Sequence, residues 1–206
     1  HPDRRGRRDR LDGRRGGRSR RGVPASLAIG EEGVLVPVTR LNHAVLYVSD
    51  LERSVSFYTQ VLGFREVAMG PRRLHGATFL QAPGSTNDHD LGLFALGSPA
   101  APAAPDRRAV GLYHLAWEVD TLAELERLAA TLSAAGALVG HADHGTTKSL
   151  YAKDPDGIEF EVAWLVPADA LDDAALAARS HIAPLDLAQE KDHYGAETRG
   201  GVGVSS

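Results

Sequence analysis

The chain has 206 residues, of which 43% are hydrophobic and 24% are charged, and this balance allows a globular protein with a buried core. Cysteine is absent, so disulfides, thiolate metal ligands and thiol nucleophiles are excluded, and a metal would have to bind to His, Asp or Glu. The sequence shows neither a run of 18 apolar residues nor a cleavable export signal. We therefore expect a cytoplasmic protein without a membrane partner.

The N-terminal segment is strongly basic. Residues 1–22 contain ten Arg and three Asp, a net charge of +7, whereas the rest of the chain carries −11. With Leu11 as its one large apolar residue, this segment cannot bury enough surface to offset the entropy of ordering. We expect residues 1–37 to form a disordered tail. Because no aromatic residues are interleaved with the Arg residues, we do not expect a nucleic-acid partner.

Two stretches of the chain repeat one pattern of a strand followed by a helix. Residues 41–64 and 112–136 each have a His at the third position, then a β-prone run, an acidic residue and an apolar stripe at helical spacing. These histidines are His43 and His114. Three short β-like stretches follow each helix, near 64–68, 76–82 and 90–96 in the first copy and near 137–140, 148–153 and 158–165 in the second. The predicted fold is therefore α+β, with two tandem βαβββ modules.

The repeat and its flanks define the predicted domain organisation. The two modules, 38–97 and 110–166, form one domain and are joined by a Pro- and Ala-rich linker at 98–109. The remaining residues, 167–206, are expected to contain a short helix followed by a loose, polar end from about residue 186. An exposed sheet edge or tail helix favours a homo-oligomer.

Side chains of the repeat are candidate metal ligands. His43 and His114 occupy the same place in the two copies, and the last predicted strand carries Glu159 and Glu161 on one face. Strand alternation leaves both carboxylates open as the third ligand. A set of two His and one carboxylate suits a six-coordinate divalent metal and leaves three positions for other ligands. The alternative interpretation is that both histidines are hydrogen-bonded core residues and the Glu faces solvent.

The stretch HGTTKSLYAKDPDGIEFE, residues 144–161, resembles the signature of extradiol ring-cleavage dioxygenases in the vicinal oxygen chelate superfamily. The matching residues are His144, Leu150, Tyr151, Asp154, Pro155, Gly157 and Glu161. Ala142 departs from the family pattern, which has another residue type two positions before the His. A second stretch, NDHDLGLF at 87–94, resembles the His-Asp segment that precedes the second ligand strand in these dioxygenases.

The resemblance implies a curved mixed sheet around a metal site and a role for each candidate residue. It implies Fe(II) as the metal, with Mn(II) or another divalent metal as the alternative. The implied ligands are His43, His114 and Glu161, so the resemblance selects Glu161 over Glu159. It also implies that His144 and Tyr151 hydrogen-bond the substrate oxygens and that His89 is a second-sphere acid or base.

The function implied by the resemblance is cleavage of a small aromatic diol of the catechol type with O2, a reaction of aromatic hydrocarbon catabolism. Two alternatives stay open within the same fold, namely a glyoxalase-like metal-dependent lyase or isomerase and a non-enzymatic drug-resistance protein that binds a small molecule. The stretch LGLFALG at 91–97 offers no carboxylate, His or Gln as a fourth ligand. Its composition is more typical of the dioxygenases than of the lyases and epimerases.

Overall fold

The computed structural model describes residues 38–70, 74–97 and 110–201. The elements of the first module are β1 Ala44–Val48, α1 Leu51–Gln60, β2 Arg65–Val67, β3 Ala77–Gln81 and β4 Leu91–Ala95. Those of the second module are β5 Leu115–Glu118, α2 Leu122–Ala134, β6 Leu138–Asp143, β7 Thr147–Lys153 and β8 Glu159–Leu165. The expected tail at 1–37 and the expected linker at 98–109 lie outside the described residues.

Each module contains a four-stranded mixed sheet. The strand orders are β1-β4-β3-β2 and β5-β8-β7-β6. The first and last strands of each module pair in parallel, and the other neighbouring strands are antiparallel. A parallel pair needs a crossover connection, and the helix after the first strand begins that connection in both modules. The prediction of an α+β fold with two tandem βαβββ modules is confirmed.

The helices of both modules begin at a capping side chain. Asp50 accepts a hydrogen bond from the Arg53 backbone N at 3.0 Å, and Thr121 accepts one from the Glu124 backbone N at 3.1 Å. Helix α2 buries four Leu side chains in the core, namely Leu122, Leu125, Leu128 and Leu132. The apolar spacing that predicted this helix is therefore also the spacing of its buried face.

The two modules contact each other through α1 and the region of β8. Phe57 of α1 packs edge to face against Phe160 of β8, with ring centroids 6.0 Å apart. The buried Tyr58 hydroxyl donates a hydrogen bond to Asp154 Oδ2 at 3.2 Å, just before β8 begins. The helix of the first module thus packs directly against the strand that carries Glu161.

The C-terminal segment folds onto the second module. A 3-10 turn at Ala168–Ala170 leads to α3 Asp173–Ala178 and α4 Leu187–Tyr194. The ring of Trp164, which is fully buried, lies 5.5 Å from the Tyr194 ring. The expectation of a loose end from about residue 186 is wrong for the described residues, because Asp186 caps α4 and Tyr194 packs on the core.

The helices of the described residues are short. None of them is long and apolar enough to cross a membrane. The longest, α2, has 13 residues, and a helix that spans a bilayer needs about 20.

Candidate functional site

His114 and Glu161 face each other at the parallel strand pair of the second module. His114 immediately precedes β5, and Glu161 lies on β8 opposite Ala116 in the strand register. The distance from His114 Nε2 to Glu161 Oε2 is 3.2 Å. Ser149 of β7 donates a hydrogen bond to the other carboxylate oxygen of Glu161. Each oxygen of the Glu161 carboxylate therefore has a polar partner, His114 for one and Ser149 for the other.

The chemistry of this pair fits a divalent metal. Imidazole nitrogen and carboxylate oxygen are both common ligands of divalent transition metals, and 27% and 12% of the two side chains are exposed. His114 Nδ1 is buried without a hydrogen-bond partner among the described residues, although buried polar atoms are normally paired. The imidazole of His114 and the carboxylate of Glu161 are thus two adjacent groups that can coordinate a metal, and Nδ1 of the same imidazole lacks a hydrogen-bond partner among the described residues. His114 and Glu161 fit two ligands of a metal site.

A second polar pair lies beside the first. His144 is in the turn between β6 and β7, and its Nε2 is 2.8 Å from the Tyr151 hydroxyl. The Tyr151 ring centroid is 6.1 Å from that of His114. Burial, and then the negative charge of Glu161, raise the pKa of Tyr151, so its hydroxyl stays protonated at neutral pH. The second module therefore collects four of the six candidate residues in one polar patch.

His43 lies at the start of the first module and contacts His89. The two ring centroids are 4.5 Å apart, and His43 Nδ1 is 2.8 Å from Asn42 Oδ1. His89 is buried, with its Nδ1 3.1 Å from Asp88 Oδ2. In the part of the chain that the structure describes, no group of three His, Asp or Glu side chains is placed to hold a metal ion. The structure thus brings together two of the three predicted ligands and places His43 with the predicted second-sphere residue.

The two carboxylates that the strand pattern left open have different partners. Glu159 forms an ion pair with Lys153 at 3.4 Å, whereas Glu161 faces His114. Glu161 is therefore the better placed ligand. Ser149 is a site residue that the sequence reasoning missed. Its alternation with Tyr151 along one strand puts both side chains on one face, and this signal could have identified it.

A cavity of about 220 Å³ with a mixed polar and apolar lining lies on the first module beside β2 and β3. Its apolar lining includes Val67, Met69, Leu74 and Phe79. Phe79 also packs edge to face on His89, with ring centroids 5.0 Å apart. Phe79 thus lies between this cavity and His89, whereas the second module provides the polar patch.

Comparison with known proteins identifies the family. The sequence model of the Glyoxalase/Bleomycin resistance protein/Dioxygenase superfamily matches residues 40–162, which include all the candidate residues. The chain belongs to this superfamily. The crystal structure of a glyoxylase/bleomycin resistance protein/dioxygenase domain from Frankia sp. EAN1pec aligns with a TM-score of 0.51 at 25% identity, covering 62% of this chain and 98% of that one. The fold and the family therefore agree.

Superfamily members that resemble the chain differ in activity. Catechol-2,3-dioxygenase from Bacillus subtilis (strain 168) is 33% identical over 124 residues, which are 60% of this chain and 41% of that enzyme. Lactoylglutathione lyase from Escherichia coli O157:H7 is 29% identical over 128 residues, which are 60% of this chain and 90% of that enzyme. The chain spans less than half the length of the dioxygenase, and membership of the superfamily does not by itself fix the reaction.

Proposed function

We propose that the protein is an Fe(II)-dependent extradiol dioxygenase that cleaves a catechol-type aromatic ring with O2. The observation that carries the proposal is the apposition of His114 and Glu161, with the His144–Tyr151 hydrogen bond beside them. The similarity to catechol-2,3-dioxygenase also supports it. His114 and Glu161 would hold the metal together with His43.

The residues around the pair are suited to manage the substrate's protons. A bound divalent metal would lower the free energy of ionising the substrate hydroxyls and would supply the redox chemistry of ring opening. The Tyr151 hydroxyl can donate a hydrogen bond to a substrate oxygen because its raised pKa keeps it protonated. His144, 2.8 Å from that hydroxyl, can accept a substrate proton and return it as a general base and acid.

The first module contributes His43 and His89 to the proposed site. We assign His43 as the third ligand because it stands at the same place in its module as His114. The His43 side chain is exposed and its hydrogen bond is to the neighbouring residue, so rotation about its side-chain torsions leaves the core intact. We assign His89 as an acid or base because its ring contacts His43.

A metal-dependent lyase or isomerase is the second candidate, favoured by the similarity to lactoylglutathione lyase. In the first module, the register position that corresponds to Glu161 is occupied by Gly92. Glycine has no ligand atom, so the first module does not supply a second carboxylate at this position. Three protein ligands would leave three coordination positions of a six-coordinate metal for a diol and O2, and this favours the dioxygenase. A non-enzymatic drug-resistance protein would not need the His144–Tyr151 pair.

The proposal is tested by loading the full chain with Fe(II) under anaerobic conditions and then admitting O2 with catechol or a 3-substituted catechol. We expect a yellow ring-opened product that contains both atoms of the consumed O2. Protein loaded with Mn(II) tests the alternative metal in parallel. No turnover of any catechol, together with turnover of a glutathione hemithioacetal, would establish the lyase instead. Binding of catechols without turnover of either substrate class would establish a binding protein.

Histidine variants test the assigned roles separately. We expect His114→Ala to lose the metal, and His144→Ala to keep the metal while its rate falls by about 100-fold. Equal metal loss in the two variants would contradict these assignments. His43→Ala should also weaken metal binding, and His75→Ala is its matched control because His75 is another exposed His of the first module. If both of these variants bind metal normally, His43 is not a ligand.

A further inference from the structure

The C-terminal segment, residues 167–201, is attached to the turn that carries His144. Asp143 and Ala183 exchange two backbone hydrogen bonds, each 2.9 Å long. The segment lies outside the residues matched by the superfamily, 40–162. It reaches the edge of the candidate site from outside the matched residues.

Helix α3 packs closely on the same turn. Gly145, the residue after His144, has a φ of +72°, a conformation that favours glycine. A Cβ atom at Gly145 would clash with the carbonyl oxygen of Ala175 and would lie 2.8 Å from the Ala178 Cβ. Because no space separates the turn from α3, a displacement of α3 would also displace the backbone beside His144.

A buried ion-pair network joins the turn to α4. Lys148 Nζ lies 2.6 Å from Asp143 Oδ1 and 2.9 Å from Glu190 Oε2, and 4% of the Lys148 side chain is exposed. Burial lowers the pKa of Lys148, but its bonds to the two carboxylates outweigh burial and raise the pKa overall, so the ammonium group stays charged. Asp143 Oδ1 also accepts a hydrogen bond from the Gly145 backbone N at 2.8 Å. Helix α4 is thus tied through one cation to the residue before His144.

We propose that the C-terminal segment positions His144 for its hydrogen bond to Tyr151, and that Lys148 and Glu190 are positioning residues of this site. The 2.8 Å bond requires a defined orientation of the His144 ring, and that orientation is set by the backbone of the turn. The part that His144 plays in turnover rests on the proposed function. The contacts that attach the turn of His144 to the C-terminal segment do not depend on the proposed function.

The test compares Glu190→Gln with Glu126→Gln. Lys191 of α4 contacts both carboxylate oxygens of Glu126 at 2.7 Å, so this exposed ion pair also attaches α4 but does not involve the turn. In the metal-free full chain, we expect Glu190→Gln to accelerate amide hydrogen exchange at Asp143 by about tenfold. We also expect it to shift the NMR signals of the His144 ring toward those seen in Tyr151→Phe. Glu126→Gln should change neither.

Activity provides a separate readout of the same variants. In the Fe(II)-loaded protein, Glu190→Gln should lower kcat while KM and iron content stay unchanged, and Glu126→Gln should match the wild type. Unchanged His144 signals in Glu190→Gln, despite faster exchange in α4, would overturn the proposal. If the wild type turns over no catechol, the proposed function fails, and the NMR comparison still decides whether the segment positions His144.

A milder pair of variants serves if Glu190→Gln does not fold. Ala178→Gly removes the methyl group that packs on Gly145, and Ala177→Gly makes the same substitution at the neighbouring, exposed position of the same helix. We expect the His144 signals to shift in Ala178→Gly and not in Ala177→Gly. Equal shifts in the two variants would attribute the effect to general helix stability and would overturn the proposal.

Discussion

The two modules share one topology but differ in one residue of the last strand, which pairs in parallel with the first strand of each module. In the first module, Val45 lies opposite Gly92, and at the same register of the second module, Ala116 lies opposite Glu161. The preceding histidines, His43 and His114, are equivalent. The repeated scaffold therefore supplies two similar His positions, and the residue on the last strand determines which of them gains a carboxylate partner.

The modules also differ in how firmly they support their site residues. Strands β7 and β8 have seven residues each, and the C-terminal segment packs on this module, whereas β3 and β4 have five residues each. The first module leaves Val45 and Tyr47 exposed on β1, by 51% and 69%. Four of the six candidate polar residues are thus in the better supported module, and the more open module contributes His43, His89 and the apolar side chains.

The largest effect is expected from Glu161→Gln, which removes the charge that distinguishes the modules. The amide keeps the shape of the side chain and can still accept the hydrogen bond from Ser149. We expect the affinity for Fe(II) or Mn(II) to fall by at least about 100-fold. Mutation of a residue that only hydrogen-bonds a metal ligand already lowers metal affinity by about 10- to 100-fold, and Glu161 would be a ligand itself. Anaerobic titration calorimetry measures the change.

Glu159→Gln is the matched control for this variant. Glu159 lies on the same strand and the same face, and its partner is Lys153. Because partly exposed ion pairs contribute little, we expect a change of less than about twofold in metal affinity. Equal losses in the two variants would mean that the carboxylates do not have the distinct roles that their contacts indicate.

The next effect in size is expected from Tyr151→Phe. This change removes the hydroxyl that contacts His144 and leaves the ring in place. We expect kcat for catechol to fall by about 100-fold at unchanged metal content, because general acid–base groups contribute at least that much. Tyr47→Phe, on the exposed face of the first module, should leave kcat unchanged. Loss of metal from Tyr151→Phe would show that the hydroxyl supports the ligands instead of the substrate.

Local patterns were enough to predict the fold, whereas Glu161, His144 and Tyr151 became candidate site residues through the resemblance of residues 144–161 to a family signature. The strand and helix periods of each copy are local, as is the turn DPDG before β8, so the two modules could be predicted in order. The contact between His43 and His89 could not, because it depends on how the start of β1 packs against the loop before β4. Helix α4 was also missed. Its sequence is polar, and its support comes from Trp164, far away in the chain.

Tyr58→Phe tests the contact that joins the modules. The hydroxyl of this buried side chain donates to Asp154 at 3.2 Å, and its removal leaves the ring packing unchanged. We expect the free energy of unfolding to fall by about 1 kcal/mol, the usual net contribution of one hydrogen bond. Urea unfolding followed by fluorescence measures the loss. A wild-type midpoint in the variant would mean that the hydrogen bond does not contribute to holding the modules together.

The smallest effect is expected in the pH dependence of stability that Asp154 contributes. Burial raises the pKa of this carboxyl, although hydrogen bonds from the backbone N atoms of Ile158 and Asp156 oppose the shift. A raised pKa in the folded state means that this contribution is fully present below the unfolded pKa of about 3.9 and is lost as pH rises through the folded value.

Asp154→Asn cannot ionise but can still accept both backbone hydrogen bonds. The stability of this variant relative to the wild type should therefore increase from pH 4 to pH 7 in urea unfolding, whereas Asp169→Asn, at an exposed position, should show no such trend. A relative stability that falls over this range would mean that the folded chain prefers the ionised carboxylate, and the contact between the modules would then be a charged one.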